Sequence, residues 1–191
     1  MLTLAEIGPA LFGAWRLAHL DPDGLRYFDR SIHGFWRSFR VAVLAAPLWI
    51  IILAVDLSSV DMGSDWFRVI VAETIGYATL WVAFPLAAFY LVWLLDRQQE
   101  YFLFITALNW ASLIQLGVQT PAHLLAHLPM MPGVLADILI VGTEIAALIY
   151  EWFITRTALR LTGFGALGFV AVDFVIGNVV NTIAVWEAFP H

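Results

Sequence analysis

Hydrophobic residues along this chain gather into five long runs, at 41–57, 68–95, 101–119, 134–157 and 164–186, and polar residues or helix breakers close each run. A membrane-crossing helix needs about 20 mainly apolar residues, and each run approaches or exceeds that length. The run at 68–95 is too short for two crossings and a turn, so it reads as one long, tilted span kinked at Pro85. Pro129, Pro132 and Gly133 break the chain before the fourth run, and Thr162 and Gly163 open the fifth. Ahead of the first run the pattern becomes periodic. Leu25, Phe28, Ile32, Phe35, Trp36 and Phe39 recur at helical spacing, while Arg26, Arg30 and Arg37 fall on other faces. The turn Asp21-Pro22-Asp23-Gly24 separates this stretch from an earlier apolar piece at 7–19. Two amphipathic helices lying on the cytoplasmic leaflet are expected, the second running into the first span. The expected organisation is an amphipathic segment at 1–40 followed by a five-helix transmembrane domain at 41–191.

Composition turns this pattern into a class. The 191 residues are 62% hydrophobic and 13% charged, with a mean hydropathy of +0.86. A chain of this size cannot hide that much apolar surface inside a water-soluble core. It reads as an all-α polytopic membrane protein. The formal charge of −6 argues against nucleic-acid binding, which needs a basic footprint. With no cysteine, disulfides, thiol chemistry and cysteine-ligated metals are excluded. No basic n-region precedes a long apolar core at the start, so no cleavable signal peptide is expected.

The basic residues are all arginine and sit at or outside the ends of the runs. Arg16, Arg26, Arg30, Arg37 and Arg40 precede the first span, Arg97 follows the second, and Arg156 and Arg160 lie at and just past the end of the fourth; only Arg68 falls on the other side. By the positive-inside rule the N-terminus is cytoplasmic and the C-terminus periplasmic, in a bacterial inner membrane. Trp15, Trp36, Trp66, Trp93, Trp152 and Trp186 lie near the expected interfaces, as an aromatic belt would.

Polar residues inside the spans are the candidates for chemistry. Counting from the span ends places Asn109, Glu144 and Asp173 at one level near the bilayer centre. Asp137, Glu144 and Glu151, spaced by seven, lie on nearly one face of the fourth span. On the fifth span Asp173, Gly177 and Asn181 share a face, with Asn178 beside them. The small residues Gly142 and Ala146 suggest close packing of the fourth span on the fifth, bringing Glu144 near Asp173. No arginine reaches that depth, so these carboxyls must be neutral, hydrated or neutralised by a cation. The midplane cluster of Asn109, Glu144, Asp173 and Asn178 then either pins helix to helix or relays protons or ions. His123 and His127, at i and i+4, have the spacing of a metal pair at the outer face, but the glutamate of the HExxH pattern is missing. Histidines without metal are the simpler reading. No phosphate loop, nucleophile elbow or dinucleotide fingerprint occurs, and no cofactor is implied.

The segments Asp29-Arg30-Ser31, Phe35-Trp36-Arg37-Ser38-Phe39, Ala83-Phe84-Pro85 and Asn109-Trp110 are similar to stretches in alphaproteobacterial Yip1-type membrane proteins. With five spans, an amphipathic lead-in and a short outward tail, the chain resembles that family over most of its length. The resemblance implies a helical bundle without catalytic residues. The expectation is a non-enzymatic inner-membrane protein, membrane-organising or an accessory subunit of a membrane complex. Its partners are membrane lipids and other membrane proteins or further copies of itself. The alternative is a small proton- or cation-translocating subunit built on the midplane carboxyls.

Overall fold

The computed structural model describes residues 4–58 and 66–188, and every regular element among them is helical. A lead-in of α1 (Leu4–Ala18), a 3-10 turn (Pro22–Tyr27) and α2 (Ile32–Ser38) precedes α3 (Val41–Leu57). Phe39 and Arg40 keep helical backbone angles, so α2 runs on into α3. Then follow α4 (Trp66–Leu94), α5 (Tyr101–Ala126), α6 (Gly133–Ala158) and α7 (Gly163–Ala188). Five helical stretches, α2–α3 together and α4 to α7, are long and apolar enough to cross a membrane. Asp61 and Asp65 of the first inter-span loop lie outside the described residues.

The surface confirms the solvent. Val43, Leu94, Val134 and Phe164 are each more than 70% exposed. In water such a surface would drive aggregation. In lipid it is the expected outer face of helices that satisfy their own backbone hydrogen bonds. This is a multi-pass helical membrane protein.

α5 is the hub, contacting α1, α2, α3 and α6, while α7 packs on α4 and on α6. Half of the most apolar stretch of α5 is buried, against 6% of that of α6. The core around α5 includes Phe84, Phe104, Ile105, Trp110, Ile154 and Phe169. α5 extends beyond the expected end at residue 119, carrying Pro121 within it. Thr120 meanwhile donates its hydroxyl to the Leu116 carbonyl one turn back (2.7 Å).

The lead-in departs from the expectation of helices lying free on a leaflet. Ala14 and Leu17 of α1 are fully buried against protein, and the Tyr150 hydroxyl of α6 donates to the Ala14 carbonyl (2.7 Å). Phe12 and Trp15 on the opposite face stay exposed, the part left for lipid. The apolar stripe is therefore wider than one interface needs, and the ends of α5 and α6 take the inner half. Within the lead-in, Gly13 and Gly24 let the 3-10 turn fold back closely on α1. A Cβ on Gly24 would lie 2.5 Å from the Gly13 carbonyl oxygen, and one on Gly13 would lie 2.8 Å from that of Gly24. Arg16 donates to Asp21 (2.6 Å), and Arg37 pairs with both Glu6 and Asp29. The Arg16 guanidinium, helped by the Asp23 backbone N–H, holds the Asp21 carboxyl below its ordinary value. The Ser31 backbone N–H, Ser31 hydroxyl and Arg37 do the same for Asp29.

Candidate functional site

Three separate polar places stand out among the described residues, where the sequence suggested one midplane cluster. The first lies under the lead-in. Asn109, buried on α5, donates its side-chain amide to the Ser38 hydroxyl on α2 (2.8 Å), and Ser38 donates onward to the Phe35 carbonyl (2.7 Å). Asn109 thus binds toward α2, away from the acids of α6 and α7. The reason is position: the longer α5 moves its midpoint past residue 109 toward its far end, leaving Asn109 nearer the arginine-rich end. A cavity of about 220 Å³ opens beside this network, lined by Glu6, Asp29, Arg37, Ser38, Thr106 and Trp110. The buried Thr106 hydroxyl lining it has no hydrogen-bond partner.

The second place is an acid pair between α6 and α7. Asp173 lies against Glu151, not Glu144, where α6 and α7 pack together. A hydrogen bond between two carboxyls needs a proton on one of them, because an ionised carboxylate can only accept. Glu151 is 6% exposed; its Oε1 and the hydroxyl of Thr155, one turn on, are buried without partners. The geometry follows from the hairpin. α6 and α7 are antiparallel about the turn between them, and helical side chains lean toward their own N-terminus. Glu151 therefore leans away from the turn and Asp173 leans toward it, so the two meet. Glu144, a further seven residues back, leans farther off. That signal was in the sequence, in the chain direction of the two helices.

Glu144 itself is the third place. It is exposed near the middle of α6, with no hydrogen bond or ion pair among the described residues, and Asp137 is likewise exposed and unpaired. The heptad spacing is as expected, but burial is not. The buried residues of α6 are Tyr150, Glu151, Ile154, Thr155 and Ala158, all toward its C-terminal end. Beyond that end α7 turns to α4, where Gly76 meets Ala184 and Val180. The rest of α6 is left open. Gly142, expected at the α6–α7 contact, has no atom near a would-be Cβ, and Ala146 is exposed. Asn178 also leaves the expected cluster: it donates to the Phe174 carbonyl of its own helix (2.7 Å) and is exposed.

The histidine pair closes on a carboxylate. His123 Nδ1 lies 2.9 Å from Asp56 Oδ1 at the end of α3, and His127 Nε2 lies 3.8 Å from the same oxygen. No group of three or more metal-ligating side chains occurs among the described residues. The imidazoles and Asp56 tie the ends of α3 and α5 together.

No family model, no curated protein and no solved structure matches the chain.

Proposed function

We propose that this chain is a non-enzymatic protein of the bacterial inner membrane, N-terminus in the cytoplasm, acting as an accessory or organising subunit of a membrane complex. The open face of α6 carries the reading. An ionised carboxylate at mid-bilayer costs about 3 kcal/mol or more when it faces lipid, and among the described residues Glu144 has no partner to offset that. A subunit seated against α6 would remove the cost. The orientation follows the arginine distribution, and the resemblance to Yip1-type proteins, which have no known catalytic residues, agrees with a non-enzymatic role. Mild solubilisation followed by size analysis tests it. A stable assembly with another membrane protein is expected, and a clean monomer from native membranes refutes the proposal.

The Glu151–Asp173 pair favours a second reading, a proton- or cation-translocating subunit. It differs from the sequence-level version in using Glu151 in place of Glu144. In proteoliposomes Glu151→Gln should then abolish flux that the parent chain supports; no flux in the parent ends this reading.

A further inference from the structure

Threonines inside long helices ordinarily satisfy their hydroxyls on their own backbone. Thr79, Thr120 and Thr182 each donate to the carbonyl four residues back. Thr106 of α5 makes no such bond. It is only 2% exposed, its hydroxyl has no partner among the described residues, and it lines the cavity of about 220 Å³ where α1, α2 and α5 meet. A buried hydroxyl left without a hydrogen bond costs free energy. It marks a position suited to a polar group from outside the chain. Ser38, the other hydroxyl of the lining, is already engaged by Asn109 and the Phe35 carbonyl. One water takes about 30 Å³ of liquid volume, so the cavity has room for a small organic group.

The charges of the lining decide the sign of that group. Arg37 is shared by two carboxylates: it pairs with Glu6 through one terminal nitrogen and lies 3.3 Å from Asp29 through the other. An anion would add a third negative charge beside a guanidinium that is already doubly paired. A cation would instead balance the second carboxylate. Asp29, held below its ordinary value by Ser31 and Arg37, keeps its charge at neutral pH. The three charged side chains are partly exposed and form the mouth, while Thr106 and the buried Trp110 lie deeper. Phe28 and Trp110 give the cavity aromatic walls, and aromatic faces attract ammonium groups. We infer that this cavity binds a primary ammonium group, which donates to the Thr106 hydroxyl while its charge balances Asp29. A quaternary ammonium has no N–H to give Thr106 and is the wrong ligand. The same chemistry arrives on an aminophospholipid headgroup or on a free amine, independently of what covers α6.

The test uses the full-length chain in two kinds of nanodisc, phosphatidylglycerol alone and phosphatidylglycerol mixed with phosphatidylethanolamine. Native mass spectrometry reads the lipid retained from the mixture, and calorimetry follows ethanolamine chloride titrated into the phosphatidylglycerol discs. Preferential retention of phosphatidylethanolamine assigns the site to a lipid headgroup, and saturable ethanolamine binding without it assigns the site to a free amine; either supports the inference. Tetramethylammonium chloride should bind at least about tenfold more weakly than ethanolamine. Thr106→Val and Asp29→Asn should each lower retention or affinity by at least about fivefold, and Thr106→Ser, which keeps the hydroxyl, should not. An unfolding transition like that of the parent checks that each variant folds; should one lose it, the other decides. Retention of neither the lipid nor the amine, preferential retention of phosphatidylglycerol, equal binding of tetramethylammonium, or binding unchanged in a folded Thr106→Val or Asp29→Asn overturns the inference.

Discussion

The bond from Asn109 to Ser38 joins the lead-in to the hub helix across 71 residues of sequence, and it gives an asymmetric prediction. Both residues are buried, Ser38 at 1% and Asn109 at 6% exposure. In Asn109→Leu the Ser38 hydroxyl still donates to the Phe35 carbonyl, so the loss is that of one net hydrogen bond, about 1 kcal/mol. In Ser38→Ala the buried Asn109 amide keeps its N–H groups but loses its acceptor, which costs roughly 1–3 kcal/mol. The serine change should therefore destabilise more, although it removes the smaller side chain. The double variant should cost less than the sum of the two, by about 1 kcal/mol, at the upper end of coupling energies measured between membrane helices. Unfolding in mixed micelles by a denaturing detergent, followed by tryptophan fluorescence, measures all three. Additivity within about 0.3–0.5 kcal/mol, or a larger cost for Asn109→Leu, would refute the assignment. Asn109 would then be bonded elsewhere, as the midplane cluster required.

Other outcomes follow from the same contacts. Asp173→Asn keeps a donor for Glu151 and should change stability by less than about 1 kcal/mol, whereas Asp173→Leu strands Glu151 and should cost roughly 1–3 kcal/mol in the same titration. Gly24→Ala puts a methyl group 2.5 Å from the Gly13 carbonyl oxygen and should cost about 1–3 kcal/mol, read as faster proteolysis within residues 4–30; wild-type resistance would refute the contact. Asp21 and Asp29 have lowered folded-state values, so the stability they lend the lead-in is full above the ordinary carboxylate range. It is lost as pH falls through the lower folded values. A spin label on Leu20→Cys, the only thiol in that variant, should gain mobility on acidification, and Asp21→Asn should flatten the change; greater mobility as pH rises would contradict the sign.

Much of the architecture is legible because membrane spans depend on local composition. The run at 164–186 and the helix Gly163–Ala188 differ by one or two residues at each end, since an apolar run bounded by breakers has one outcome in lipid. The lead-in was less legible. Its periodic stripe gave α1 and α2, but the expected second helix is interrupted: Leu25 lies in the 3-10 turn, and Phe28 lies in the non-helical stretch before α2. Period alone also does not distinguish lipid from protein as the partner, and Tyr150 and Ala14 are 136 residues apart. Gly13 and Gly24 bear only on the lead-in itself, where they let the 3-10 turn cross close to α1.

The polar site was misread for a related reason. Depth along a helix follows from counting residues, and that placed Asn109, Glu144 and Asp173 at one level. Contact also requires that the helices stay together, and side-chain volume and lean decide how far they do. α6 and α7 leave their short turn together and then separate, so their shared seam closes over Glu151 and opens before Glu144. A heptad of acids on one face thus meets two environments. The acid near the turn packs against Asp173 within the hairpin, while the acid two turns farther faces outward. Identical residue type and face with opposite burial is hard to reconcile with one internal cluster. It fits a helix whose packing surface is completed in two parts, the first by its own chain and the second by another.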